Sequence, residues 1–227
     1  MGDEVRRRDG RRPLDQMTIV KEAIRFIDEQ GRDRLTMRQL GARLGVEAMA
    51  LYRYVPGREQ LLDGVVEVLM DELYRDTMID NSASTWQQYL QELAYAVRRL
   101  ALAHPQVFPL VASRPPAAPW LRPPLRSLRW VEGFLQGLAS YGFSGRASVA
   151  TYRAFATFLL GHLLLETAAS VSLPSEPEDE LELIESNDLS DYPLLTQLGP
   201  QLAVDMFGDE FDAALEDLIN RLALVRD

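Results

Sequence analysis

The sequence predicts an all-α protein in which an N-terminal three-helix domain, containing a helix-turn-helix, is joined by a long helix to a larger helical domain. Three observations predict this class. Apolar residues recur with a period near 3.6 along most of the 227 residues, which is the spacing of one helix face. Stretches that alternate apolar and polar residues, the pattern of a half-buried strand, are missing. Glycines and prolines interrupt the helical pattern where helices are expected to end.

The first domain is predicted to span residues 15–63, after a basic and flexible arm at 1–14. Its first helix places its apolar residues on one stripe and ends at Gly31, as a C-terminal glycine does. The second begins at Thr36, which has the capping-box spacing to Gln39, and it ends at Gly45. The predicted helices of this half cover 17–30, 36–45, about 48–54 and 58–78.

The second domain is predicted to span residues 64–227. Its helices are expected at 86–104, about 125–141, 144–171, about 194–206 and 209–225. The 144–171 segment is apolar nearly all round, so it is expected to be buried on several faces. A proline-rich stretch at 105–124 permits only short helical pieces. Residues 174–193 hold eight acidic residues and no basic one, which predicts a mobile, solvated loop.

The amino-acid composition limits the kinds of site that the chain can form. Apolar residues make up 47% and charged residues 26%, as in ordinary soluble domains. The chain contains no cysteine, which excludes disulfides and thiolate sites, and it contains only two histidines, so we expect no metal and no cofactor. Apolar runs stay well short of the ~20 residues that span a bilayer, and the arginine-rich start does not resemble a signal peptide. We therefore expect a cytoplasmic protein without membrane contact.

Charge is distributed unevenly along the chain. The net charge is −10, but residues 1–63 hold 13 basic and 11 acidic residues, whereas residues 64–227 hold 11 and 23. Five arginines lie within the first twelve residues. The local electrostatic potential decides where a polyanion binds. The first domain could therefore bind nucleic acid although the net charge of the whole chain is negative. The arginine arm is expected either to enter a minor groove or to remain a solvated tail.

The segment 36–54 is the most informative part of the sequence. Two helices separated by the tight turn at 45–47 have the organisation that presents the second helix to a DNA major groove. The side chains expected to lock the pair together are Leu40, Leu44, Val46 and Leu51. Small and apolar residues suit close approach and thymine methyls, Arg53 suits base edges, and Tyr52 suits a phosphate. The predicted DNA-binding residues are Thr36, Arg38, Ala48, Met49, Ala50, Tyr52, Arg53, Tyr54 and Arg58. The alternative is an ordinary helical corner.

The same residues resemble a known family. The sequence is similar to the DNA-binding domain of the TetR family of regulators at Thr18, Ile19, Val20, Ala23, Gly31, Leu35 to Gly41, Leu44, Gly45, Val46, Leu51 to Val55, Leu61, Leu62 and Asp63. A looser resemblance to the regulatory domain of the tetracycline repressors lies at Trp86, Gln87, Arg98, Arg99, Arg114, Pro115, Gly142, Phe143, Ser144 and Phe158 to Gly161.

The resemblance implies a regulator, and most often a repressor, that binds a palindromic DNA operator as a homodimer and responds to a small molecule. It implies a dimer interface that forms a four-helix bundle from 144–171 and 209–225 of each subunit, which the apolar character of both segments favours. The alternative is that both helices belong to the core of one subunit. The resemblance also implies an effector cavity in the second domain, with the candidate lining residues Tyr89, Leu93, Val97, Phe108, Trp130, Phe134, Tyr152, Phe155, Leu159 and His162. Such an aromatic set at helical spacing is more often plain core than a pocket.

One departure from the family bears on the effector. Tetracycline repressors hold the magnesium of the drug with one histidine and contact the drug with another. The matching positions here are Val111 or Leu110, and Leu73. Aliphatic side chains do not coordinate a hard cation, so a largely apolar effector is expected instead.

An enzyme is disfavoured because the sequence has no phosphate loop, nucleophile elbow or metal-binding histidine–carboxylate spacing, and no catalytic residue is predicted. A helical protein-interaction module without sequence-specific DNA binding remains the main alternative. His104 is expected to cap a helix end before Pro105, and His162 is either a core or interface histidine or a ligand contact.

Overall fold

The computed structural model describes residues 14–78, 83–114, 118, 120–122, 127–172, 189 and 191–224. This part of the chain contains ten α-helices, one 3₁₀ turn at Arg32–Arg34 and no strand, which confirms the all-α prediction. The helices are α1 (Gln16–Gln30), α2 (Met37–Leu44), α3 (Ala48–Leu51), α4 (Arg58–Met78), α5 (Trp86–Ala103), α6 (Pro109–Ser113), α7 (Leu128–Ser140), α8 (Gly145–Ser172), α9 (Pro193–Leu202) and α10 (Phe207–Leu222). The predicted arm at 1–14, apart from Leu14, and most of the predicted acidic loop lie outside the described residues.

The chain forms two compact units whose boundary lies between Val65 and Val66, within α4. In the first unit α2 packs against both α1 and α3. Asp15 caps α1 by accepting a hydrogen bond from the amide of Thr18 at 2.7 Å. Thr36 caps α2 in the same way, with the amide of Gln39 as donor at 3.2 Å. The fully buried side chains at the centre of this unit are Ile19, Ile27, Leu40, Leu51 and Leu61.

In the second unit α5, α7 and α10 all pack against α8. The aromatic centre is Phe134 of α7 stacked on Phe155 of α8, with ring centroids 5.5 Å apart. Helix α7 begins later than the sequence predicts, because Ser127 caps it by accepting a hydrogen bond from the amide of Trp130. Helix α9 ends at Leu202, and α10 begins two residues earlier than predicted.

Helix α8, at Gly145–Ser172, confirms the predicted long apolar helix at 144–171, with its ends shifted by one residue. Within Gly145–Val171 an 18-residue window has a mean hydropathy of 1.5, so this stretch could cross a membrane by length and composition. This is weak evidence for a membrane span, because a core helix passes the same test. The helix packs against three neighbours and carries Glu166, whose side chain is buried and paired with Arg98. Only 33% of the most apolar stretch is buried in a single copy of the chain.

Candidate functional site

The corner between α2 and α3 is fixed by two glycines. Gly45 adopts the left-handed conformation, with φ 68°, and ends α2. The next amide, that of Val46, donates to the carbonyl oxygen of Gly41 at 2.9 Å. A β-carbon on Gly41 would lie 2.8 Å from the carbonyl oxygen of Val46 and 3.2 Å from the amide nitrogen of Ala48. The start of α3 therefore lies closer to α2 than a side chain at Gly41 would allow.

The residues predicted to hold α2 and α3 together differ in exposure from the residues predicted to face DNA. Leu40 and Leu51 are fully buried, while Leu44 and Val46 are half-buried. On the other side Met49 is 74% exposed, Tyr52 43% and Tyr54 41%. Arg38 and Arg53 are exposed as well, and Ala48 and Ala50 are half-buried. Helix α3 ends at Leu51, earlier than the predicted 48–54. Within the first unit it buries one leucine, and together with the turn at 52–54 it leaves a face of methionine, tyrosine and arginine side chains uncovered.

Arg58 has a different environment from the one predicted. Its guanidinium donates from Nε to the carbonyl oxygen of Leu35 and from Nη2 to that of Arg32, both at 3.0 Å. These bonds attach the start of α4 to the 3₁₀ turn before α2. We accordingly treat Arg58 as a residue that positions the corner. Sequence alone showed an arginine at a helix N-terminus, but it did not show that the turn carbonyls lie within its reach.

The sequence analysis missed Arg43 of α2. Its side chain makes ion pairs at 2.7 Å with both Glu22 and Glu29 of α1 and lies over the ring of Phe26. The hydrogen bond from Arg43 holds the pKa of Glu29 below its ordinary value. The exposed hydroxyl of Thr36 is engaged locally, since it donates to the side-chain oxygen of Gln39 at 2.8 Å while it caps α2. These contacts fix α2, and with it the corner, on α1.

A small apolar cavity of about 30 Å³ lies inside the second unit. The residues that line it are Met70, Leu73, Val97, Leu100, Phe108, Val111, Trp130, Ala156, Leu159 and Leu160. Four of them were predicted: Val97, Phe108, Trp130 and Leu159. Leu73, the position matched to the drug-contacting histidine of tetracycline repressors, is in its wall, and so is Val111, one of the two positions matched to the magnesium-binding histidine. None of these lining residues is charged, and the described residues contain no cluster of side chains that could hold a metal ion.

The other predicted cavity residues lie elsewhere in the second unit. Phe134 stacks between Trp130 and Phe155, with 5.5 Å to each ring, and so forms a second layer behind the wall. Tyr152 lies edge-on to Phe134, and burial raises its pKa to about 12. Two others, Tyr89 and Leu93, line a separate polar space of about 370 Å³ beside Asp76, Glu92 and Arg99. Burial also raises the pKa of Tyr89.

His104 lies at the C-terminal end of α5, and His162 lies where α8 meets α10. His162 of α8 places Nε2 3.1 Å from the carbonyl oxygen of Phe207, and its ring packs against Phe211 at 5.2 Å. It is absent from the cavity wall, so its assignment as a cavity residue is corrected and the core alternative is favoured. The backbone amide of His104 donates to the carbonyls of Leu100 and Ala101, which places His104 at the C-terminal cap of α5.

Comparison with known proteins agrees with both units. Residues 19–65 match the family described as bacterial regulatory proteins of the tetR family, and residues 80–225 match the tetracyclin repressor-like C-terminal domain. The class D tetracycline repressor of Escherichia coli is 30% identical over 174 residues, which cover 74% of this chain and 75% of the relative.

Two solved structures share the fold. The crystal structure of a possible TetR family regulator from Streptomyces coelicolor A3(2) is 30% identical, has a TM-score of 0.74, and covers 93% of this chain and 100% of its own. The structure of ActR from Streptomyces coelicolor in complex with actinorhodin is 24% identical, with a TM-score of 0.68 over 93% of this chain and 96% of its own. With a helix-turn-helix unit, a helical second unit and both halves matched, the chain belongs to the TetR family of bacterial transcriptional regulators.

Proposed function

We propose that this regulator is a repressor that binds a palindromic operator as a homodimer and is released by a small, largely apolar effector. The proposed DNA-contacting residues are Thr36, Arg38, Ala48, Met49, Ala50, Tyr52, Arg53 and Tyr54. The observation that carries the proposal is the uncovered face of α3, held on a corner that Gly41 and Gly45 make rigid. Like the rest of its family, the protein is proposed to act in the cytoplasm.

The proposed dimer supplies a cover for apolar side chains that a single copy leaves exposed. On α8, Leu165 is 68% exposed and Val149 43%, and Leu224, just after α10, is 84% exposed. Pairing α8 and α10 with the same helices of a second copy would bury them in a four-helix bundle. In such a dimer the two α3 helices would read half-sites about one helical turn, or roughly 34–36 Å, apart.

We propose that α4 transmits effector binding to the DNA-binding unit and so releases the protein from its operator. This helix contributes Leu61 and Leu62 to the core of the first unit, and Met70 and Leu73 to the cavity wall of the second. A cavity of about 30 Å³ has room for only one or two waters. An effector of useful size would therefore displace the wall, α4 included, and alter the spacing of the two α3 helices. The name of the class D relative points to a drug-sized effector for that protein.

The experiment that tests the proposal is titration of the purified full chain into fluorescently labelled DNA from the regions flanking its gene. We expect a complex with one palindromic segment that weakens steeply as salt rises from 50 to 200 mM, as phosphate neutralisation requires, and a dimer mass by analytical ultracentrifugation. A shuffled segment of equal length and composition is the control. Equal binding to both segments, or binding to neither, would favour the interaction-module alternative.

A further inference from the structure

Helix α3 exposes one reactive group of its own. The helix is four residues long, and of these Leu51 is buried while Ala48 and Ala50 carry only a methyl group as side chain. The fourth residue, Met49, is 74% exposed. The thioether of Met49 is therefore the part of α3 that reaches furthest into solvent, and its sulfur determines which covalent chemistry the surface of this helix can undergo.

Met49 is also the most accessible of the methionines whose side chains the structure describes. Met17 and Met206 are 51% and 47% exposed, whereas Met37 and Met70 are buried. The chain contains no cysteine, so no thiol competes with these thioethers for an oxidant. Among the described residues, Met49 is therefore the sulfur most open to oxidation.

An oxygen donor such as hydrogen peroxide converts a thioether into a sulfoxide. A sulfur lone pair attacks one peroxide oxygen, an S–O bond forms, and the O–O bond breaks. The sulfur is oxidised, while the peroxide is reduced and leaves as water. Methionine sulfoxide reductases reverse the change, with one enzyme for each sulfoxide epimer. The modification can therefore be added to Met49 and removed from it.

The sulfoxide differs from the thioether in the property that a base contact uses. An apolar thioether can pack on a thymine methyl in a major groove, whereas a sulfoxide is polar and would lose its hydration in such a contact. The start of α3 already lies too close to α2 to admit a β-carbon at Gly41, which leaves the helix little room to move back from the DNA. Oxidation at this position therefore weakens the contact that α3 makes.

We infer that Met49 is an oxidation site, and that its conversion to the sulfoxide by a peroxide lowers operator affinity without an effector. This inference rests on the proposed binding of α3 to DNA. It adds to effector release a second and chemically reversible means of regulating the same surface.

The test treats three full-length proteins with hydrogen peroxide, removes the peroxide with catalase, and titrates labelled operator before and after treatment. The proteins are the wild type, Met49→Leu, and a control in which both Met17 and Met206 are replaced by leucine. Leucine resembles methionine in volume and is apolar, but it has no sulfur. The affinity of each protein after treatment is divided by its own affinity before treatment, so that any direct effect of a substitution cancels. We expect a fall of roughly tenfold, as for the loss of one base contact, in the wild type and the control, and no fall in Met49→Leu.

Mass spectrometry of peptides from the wild type locates the modification. The added oxygen should be found on Met49. When operator is bound before the peroxide is added, Met49 should be protected while Met17 is still oxidised. Methionine sulfoxide reductases of both epimer specificities should remove the oxygen from Met49 and restore operator affinity.

The outcomes separate the oxidation site from the proposed function. An equal loss of affinity in Met49→Leu and wild type, or a wild type that keeps its affinity with Met49 oxidised, would overturn the inference while operator binding stands. Oxidation of Met49 at the same rate with and without operator would overturn it too. If the untreated wild type binds no operator, the proposed function fails and the inference fails with it. Should Met49→Leu bind no operator, the recovery of the oxidised wild type under the reductases decides.

Discussion

The carbonyl oxygen of Val46 lies 2.8 Å from the point that a β-carbon on Gly41 would occupy. The atom in question belongs to the backbone of the turn and cannot swing away as a flexible side chain could. The same two residues are joined by the hydrogen bond from the Val46 amide to the Gly41 carbonyl. The approach of α3 to α2 thus depends on the absence of a side chain at one position.

Gly41→Ala is expected to displace α3 and weaken operator binding. Overpacking of this kind destabilises by about 1–3 kcal/mol, and the better helix propensity of alanine, about 0.5–1 kcal/mol, offsets only part of that. Thermal unfolding and operator titration measure the two effects. Gly145→Ala is the matched control, because a β-carbon there meets nothing within 4 Å. Operator affinity equal to wild type in Gly41→Ala would contradict the proposed geometry of the corner.

Tyr52→Ala and Arg53→Ala are each expected to reduce operator affinity by about 1–3 kcal/mol without changing the dimer. Both side chains are exposed on the α3 side of the corner, so their loss removes contacts to DNA and little packing. Operator titration and sedimentation measure affinity and mass on the same samples. Arg75→Ala, an exposed arginine of α4 in the second unit, is the control for loss of one positive charge. Dissociation of the dimer in either α3 variant would show that the DNA-binding surface was misplaced.

The first unit was predictable because its elements are specified locally. Thr36 and Gly45 set the two ends of α2 through their own backbone and side-chain bonds, and the apolar residues Leu40 of α2 and Leu51 of α3 mark the buried face of each helix. The role of Arg58 was not predictable, because its acceptors at Arg32 and Leu35 come near it only when the chain folds back. Arg43 was missed for the same reason, since its partners are 14 and 21 residues away.

The cavity was predictable only in part. Phe134 of α7 and Phe108, the residue before α6, are both buried aromatic residues, yet Phe134 fills the core and Phe108 lines the empty space. Periodicity identifies which side of a helix is inward, but whether the inward space is filled depends on how side chains from several helices meet. The helical pattern of α4 likewise identified Leu73 as buried without showing that it borders a void. The sequence likewise gave no indication that His162 of α8 would find its hydrogen-bond acceptor in the carbonyl oxygen of Phe207, at the start of α10.

Arg98→Met is expected to destabilise the second unit by up to about 3 kcal/mol, because it leaves the carboxylate of Glu166 buried without its partner. The pair is tight: Nη2 of Arg98 lies 2.6 Å from Oε1 of Glu166, whose side chain is 8% exposed. The double variant Arg98→Met, Glu166→Met should recover most of the loss, since it removes both charges. Chemical denaturation of the three proteins gives the free energies of unfolding.

The control for that comparison is Arg25→Met, which removes an exposed arginine from Glu22 on α1 and leaves that carboxylate its ion pair with Arg43. Exposed pairs contribute only about 0–1 kcal/mol, so this variant should unfold close to wild type. Equal losses in the single and double variants would show that Arg98 acts through its packing on Phe211, at 5.1 Å from the ring, and that the charge pair is unimportant.

Tetracycline with magnesium is expected to leave the operator affinity of this protein unchanged. A chelated magnesium ion needs oxygen or nitrogen ligands, and the positions matched to the relevant histidines, Leu73 and either Val111 or Leu110, are all aliphatic. Leu73 and Val111 lie in a wall of hydrocarbon. Placing the chelate there would strip the ion and the drug of hydration without returning a ligand. Operator titration with and without tetracycline, at fixed magnesium, measures the effect, and the class D tetracycline repressor run in parallel shows that the drug is active. Release of this protein from its operator by micromolar tetracycline, abolished by a magnesium chelator, would mean that side chains outside the cavity wall supply the ligands and that the effector site lies elsewhere.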